Sequence, residues 1–192
     1  MRATLLLIGL LAGCVSDPQK RDAINEVNQE FRQQYERILA ESGTRRYKAK
    51  RPQAFNALRT VLLRLGMRIG DQSQEIGYLN VFAPAPTPLD RAEWDEAQKN
   101  DLPVLREIAT RHIGLLGYLV KFEPEGLDIV INAAAIEVAG GTDVSLTMRM
   151  REVAPARSGM PRRDYAPPTA VRMGLDKIWL ELERELGPLQ AR

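Results

Sequence analysis

Histidine and cysteine are nearly absent: the 192 residues hold one of each, His112 and Cys14. A single cysteine closes no intramolecular disulfide, so stability must come from packing. A lone histidine removes multi-histidine metal sites and makes any Ser-His-Asp or Cys-His arrangement depend on one position. No GxGxxG or GxxxxGK[ST] run is present, so neither phosphate cradle is encoded. Charge of one sign is also lacking. The 27 basic and 25 acidic residues leave +2, and bulk electrostatics nominate no nucleic-acid partner. These shortages predict a protein that is not an enzyme and carries no metal and no cofactor.

What is present is enough apolar residue, 44% against 27% charged, to build one packed domain. The amino-terminal stretch reads separately. Arg2 is a positive start, residues 5–11 are an apolar run of seven, and Ala12-Gly13 are small. A mature membrane span needs about 20 apolar residues, so residues 1–13 predict a removable leader. Leu11-Ala12-Gly13-Cys14 resembles the lipobox of bacterial lipoproteins. That resemblance implies cleavage between Gly13 and Cys14, a diacylglycerol on the Cys14 thiol and an acylated new amino terminus. Val15 rather than Asp after the cysteine implies the outer membrane, with the domain facing the periplasm. Each buried CH₂ contributes about 0.8 kcal/mol, so two or three chains anchor firmly. The competing reading of Cys14 is an inert, buried thiol.

Residues 14–43 form the anchor and a first helix. Asp17-Pro18 opens it, and Ile24, Val27, Phe31, Tyr35, Ile38 and Leu39 recur at threes and fours, one apolar stripe. The stripe either serves a stalk or packs back on the domain. The remainder, 44–187, predicts a single α+β domain: a two-layer sandwich in which an antiparallel sheet is covered by helices, including a C-terminal one. Residues 44–50 predict a strand and Pro52 starts a helix that Gly66 ends, with Phe55, Leu58, Val61, Leu62 and Leu65 on its buried face. Strands over 67–71 and 76–83 follow. Residues 83–88, with three prolines, predict a polyproline-like connection, then helices over 89–99 and 102–112 divided near Asn100-Asp101 and Pro103. This insertion, about 89–112, is either a specificity element or simple core cover.

The strongest β signal begins at Gly117. One strand turns at Pro124-Glu125-Gly126 into another over 127–138, and Gly140-Gly141 makes a hairpin into alternating Val144, Leu146, Met148 and Met150. Residues 169–186 predict the last helix, stopped by Gly187-Pro188, with 188–192 a tail. Ala54-Phe55-Asn56-Ala57-Leu58, Leu65-Gly66-Met67-Arg68-Ile69, Asp71 and Gly77 are similar to the repeated unit of BamC-like outer-membrane lipoproteins. The resemblance implies a helix-grip fold and a role beside the outer-membrane assembly machinery.

Three groups of residues carry candidate chemistry. Arg45, Arg46, Lys48, Arg149 and Arg151 predict either a patch for an anionic partner or charged protection of a sheet edge. Glu123, Glu125 and Asp128 surround one turn, and a solvated turn accounts for them better than acid-base or calcium chemistry. His112 is expected merely to suit a helix C-terminus. The function these features predict is a periplasm-facing interaction module, membrane-bound through its lipid, with an envelope protein as partner and no nucleic acid. The alternative is a carrier or sensor of lipid or another small apolar ligand held between the sheet and the C-terminal helix.

Overall fold

Four α-helices, five strands and one 3-10 segment succeed one another in the computed structural model, which describes residues 17–153 and 160–190. The leader and the lipobox, Gly13 and Cys14 included, lie outside the described residues. The first helix, α1 (Asp17–Ser42), is no free stalk. Val27, Phe31, Tyr35 and Ile38 are buried in the same core as the rest of the chain, against α3 (Arg91–Ile113) and α4 (Pro168–Gln190). Residue 43 therefore marks a turn within one core rather than a boundary between anchor and domain.

A five-stranded antiparallel sheet forms the other layer, with strands β1 (Thr44–Tyr47), β2 (Arg68–Ser73), β3 (Tyr78–Pro84), β4 (Leu127–Val138) and β5 (Gly141–Glu152) in the order β1-β5-β4-β3-β2. Its spine is the β4–β5 hairpin, in register from Leu127 opposite Glu152 to Val138 opposite Gly141. The turn residues are Ala139 and Gly140, one step earlier than the sequence suggests. Gly141 instead begins β5, where a Cβ would sit 2.1 Å from the Tyr47 carbonyl oxygen, so only glycine lets β1 close on this edge.

One face of the sheet is packed. Ile129, Ile131, Ala133 and Ala135 of β4 and Val144, Leu146, Met148 and Met150 of β5 are buried under α2 (Arg51–Arg64) and α4. Helix α2 ends as its sequence predicts: Gly66 adopts φ +88°, and Met67 N–H donates to the Leu62 carbonyl at 3.0 Å. Helix α4 is the hub, touching α1, α2, α3 and β5. Its Leu175, Ile178, Trp179, Leu182 and Leu186 are fully buried.

The proline-rich segments fold differently from expectation. Residues 83–88 are not an extended polyproline connection: Pro84 ends β3, and the chain turns, with Thr87 N–H donating to the Pro84 carbonyl at 3.2 Å and Leu89 N–H to the Pro86 carbonyl at 3.0 Å. Polyproline II has no such internal hydrogen bonds. The two helices expected over 89–112 are one, α3, with Pro103 inside it. Pro103 is exposed, so the carbonyl its ring leaves unbonded faces water rather than core, while Trp94, Leu105 and Ile108 are buried on the packed side. Helix α4 likewise continues past Gly187-Pro188 to Gln190 instead of stopping before them. The strand expected between Gly117 and Pro124 does not form. Gly114–Leu119 is a 3-10 segment, and buried Gln98 takes the place of a neighbouring strand by bonding both the N–H and the C=O of Phe122, at 3.2 and 3.0 Å.

Candidate functional site

The five basic residues singled out in the sequence do not assemble into one patch. Alternation along β1 puts Arg45 on the helix side and Arg46 on the opposite side. Arg45 lies over the Trp179 ring at 5.3 Å and donates to Glu183 at 2.5 Å. Arg46 makes a bidentate pair with Asp143, at 2.6 and 3.0 Å, which holds the Asp143 carboxyl below its usual range. Arg149 lies over the Tyr165 ring at 4.6 Å, and Arg151 donates to Asp128 at 2.9 Å. Arg46 and Arg149 are separated by six residues of β5, about 20 Å of strand. Lys48 follows β1 at the edge. The edge-strand placement agrees with charged protection of an exposed ladder.

The carboxylates near Gly126 serve the fold. Arg91, in the first turn of α3, donates to Glu125 at 2.6 Å and to Glu123 at 3.0 Å. The Glu125 carboxyl is held below its ordinary value, first by its own backbone N–H and then by Arg91. Glu123 and Glu125 share the Arg91 guanidinium while Asp128 is bound to Arg151, so the three acids do not converge on one centre. Among the described residues no three His, Cys, Asp or Glu side chains form a metal-ligating group. His112 has a partner that the sequence did not reveal: its Nε2 lies 2.6 Å from Glu26 of α1.

The sheet's second face carries no helix among the described residues. Phe82, Val130, Asn132, Ala134, Asn80, Tyr78, Ser145 and Thr147 are all only partly covered there. At its centre Asn80 Nδ2 donates to Asn132 Oδ1 across the β3–β4 pair at 2.7 Å, and the Tyr78 hydroxyl reaches the same oxygen at 3.4 Å. Gly70, unpaired in a bulge of β2, leaves room for this ladder, since a Cβ there would sit 2.5 Å from Asn80 Oδ1. Charge on this face is partly paired: Arg46 with Asp143 and Arg151 with Asp128, while Arg149, opposite Val130, stacks on Tyr165, and Arg68 is exposed opposite Phe82. The result is a surface of apolar and amide side chains with arginines beside them. Sequence reasoning missed it, although the alternation Ile129, Val130, Ile131, Asn132, Ala133, Ala134 already put a second, weakly polar face on β4.

Clefts lie elsewhere. The layer between sheet and α4 is filled by side chains such as Met148, Leu175 and Trp179, all fully buried. A polar groove of about 640 Å³ runs between α1 and α3, lined by Asp22, Glu26, Glu30, Glu107 and Arg111 among others. An apolar cleft of about 250 Å³ opens beside it, between Ile24 and Val27 of α1 and Leu105, Ala109 and Ile113 of α3. No helix among the described residues is long and apolar enough to cross a membrane. No protein-family model matches the chain, and no curated protein or solved structure matches it significantly.

Proposed function

We propose that this chain is a non-enzymatic lipoprotein of the cell envelope, held by an acylated Cys14 at the periplasmic face of the outer membrane, that docks a protein partner on the open face of its sheet. The anchor rests on the leader and on Leu11-Ala12-Gly13-Cys14. One observation supports the docking reading. The helix-free sheet face sets Phe82, Val130 and Ala134 around the Asn80–Asn132 bond, with Arg149 and Arg68 beside them and Arg46–Asp143 and Arg151–Asp128 pairs further out. Protein interfaces combine apolar and aromatic side chains with arginine in this way, inside a polar rim. The partner sought first is a component of outer-membrane assembly, as the resemblance of the segment from Ala54 to Gly77 suggests.

The test places a photoreactive residue at Val130 and, separately, at Thr60, which is exposed on α2. In the native host Val130 should capture one protein reproducibly and Thr60 should not. Cys14→Ser should move the chain out of the membrane fraction and weaken the capture, because the tether supplies effective concentration. Equal capture at both positions, or none at Val130, overturns the docking reading. A bare Cys14 thiol, seen by mass, overturns the anchor.

A further inference from the structure

The 3-10 segment Gly114–Leu119 presents four large apolar side chains to solvent: Leu115, Leu116, Tyr118 and Leu119 are 82%, 46%, 60% and 75% exposed. Single exposed leucines are ordinary, but four such residues within six form a contiguous protrusion that a water-facing domain gains nothing by displaying. The segment is held rigidly. Gly117 is buried at its centre, where a Cβ would lie 2.3 Å from the Thr110 backbone nitrogen, and Val120 N–H bonds back to the Gly117 carbonyl at 3.2 Å.

Its location decides what it meets. Ile113 and Val120, the residues flanking the protrusion, share the apolar cleft with Lys20, Ala23 and Ile24 from the first turns of α1. Lys20 is three residues from Asp17, about 4.5 Å along the helix axis. Asp17 is in turn three residues from Cys14, so the Cys14 backbone is at most about 11 Å from the start of α1. A thiol held in a bilayer by acyl chains therefore brings this end of the domain to the bilayer surface. Lys20 and Lys121 line the same cleft, and Tyr118 sits among the leucines. Leucine beneath, tyrosine at the boundary and lysine beside phosphate is the arrangement an interfacial segment uses.

We infer that the Gly114–Leu119 protrusion is a second membrane contact, inserting Leu115, Leu116 and Leu119 among phospholipid acyl chains beside the anchor. The inference rests on the lipoprotein reading of Cys14 and adds a function to it. Two attachments in place of one fix how the domain stands on the membrane, with the turn between β2 and β3 at the far end of the sheet. A single attachment point would leave the orientation of the open face unset.

The experiment uses the full chain purified from its host and reconstituted into phosphatidylethanolamine and phosphatidylglycerol vesicles. Leu119→Cys supplies a thiol for an environment-sensitive fluorophore, and Ile76→Cys, 67% exposed beyond β3, supplies the reference. The probe at 119 should emit at shorter wavelength and be quenched by lipids bearing a nitroxide on the acyl chain, while the probe at 76 does neither. Leu115→Gln with Leu116→Gln should abolish the shift without lowering Tm, since both side chains are out of the core. An unquenched probe on a chain whose Cys14 is acylated overturns the inference and leaves the anchor standing. A quenched probe on a chain with a bare Cys14 keeps the membrane contact and removes the anchor; an unquenched probe there removes both. A shift that appears without vesicles signals pairing of two copies and also overturns it.

Discussion

His112 Nε2 lies 2.6 Å from one oxygen of Glu26, while Arg111 donates to the other, so the last turn of α3 grips α1 through a single carboxylate. The two donors hold the Glu26 carboxyl below its ordinary value, His112 contributing most. Asp22 and Glu30 on α1 and Glu107 on α3 line the same groove and make it acidic. A carboxylate depressed in the folded state stabilises above its unfolded pKa, near 4.5, and ceases to as pH falls through the lower folded value. Glu26→Gln should therefore lower stability modestly at pH 7, by less than about 1 kcal/mol for so exposed a group, and the deficit should shrink as pH falls below 4.5. Thermal melts from pH 7 downward check it; a deficit that does not change with pH contradicts the ionic account.

Asp101 joins α3 to α4 by accepting from the Thr169 N–H and hydroxyl, each at 2.9 Å. Burial pushes its carboxyl above the usual range, and the Thr169 bonds only partly offset this. The sign is opposite to that of Glu26: the desolvation cost is fully present at pH values above the raised pKa and is relieved as pH falls toward 3.8. Asp101→Asn keeps an acceptor for the N–H and sheds the charge, so at pH 7 it should lie within about 0.5 kcal/mol of the natural protein. Asp101→Ala leaves the start of α4 uncapped and should lose about 1 kcal/mol. Denaturant midpoints of the two variants order them, and an Asn variant as weak as the Ala variant would disprove the capping role.

Patterned elements were legible in the sequence and pairings were not. The alternation of Val144, Leu146, Met148 and Met150, and the spacing of Val171, Leu175, Ile178 and Leu182 by fours and threes, report which face is buried because burial acts residue by residue. Pro103 misled because proline's cost depends on whether the freed carbonyl faces water, a tertiary fact. Arg45 looked available for an anionic partner because Glu183, its acid, lies 138 residues away. The leucines of Gly114–Leu119 were visible in sequence, yet an apolar run of that length reads equally well as a buried strand. Only the fold shows that they point outward.

Tyr47 is buried at the edge strand with its ring 6.4 Å from Trp179, and its hydroxyl, near Arg45, has no well-formed hydrogen bond. Burial pushes the phenol pKa up to about 12, with Glu183 adding to the shift and Arg45 opposing it. An unsatisfied buried hydroxyl costs roughly 1–2 kcal/mol, so Tyr47→Phe should raise stability by up to that amount. The natural chain should also lose stability as pH rises from 10 toward 12, where the unfolded phenol ionises and the folded one does not; the Phe variant should lose less. Urea denaturation at pH 7 and pH 11 measures both effects.

Val130 and Ile131 are neighbours on β4 with opposite duties. Ile131 is fully buried beneath the helices, whereas Val130 is partly exposed on the helix-free face, opposite Arg149 of β5. Ile131→Ala removes packed methyls from a site with little room to collapse and should cost about 2–5 kcal/mol. Val130→Glu places a carboxylate across from Arg149, where a cross-strand pair offsets the lost β-branched side chain, and stability should change by no more than about 1 kcal/mol. If the open face docks a partner, the same Val130→Glu should abolish crosslinking from the face, because a bulky, hydrated carboxylate–Arg149 pair replaces an apolar side chain there and must be desolvated for the partner to bind. Denaturation and in vivo crosslinking on the one variant separate fold from function. Undiminished capture by a stably folded Val130→Glu protein would move the partner to another surface.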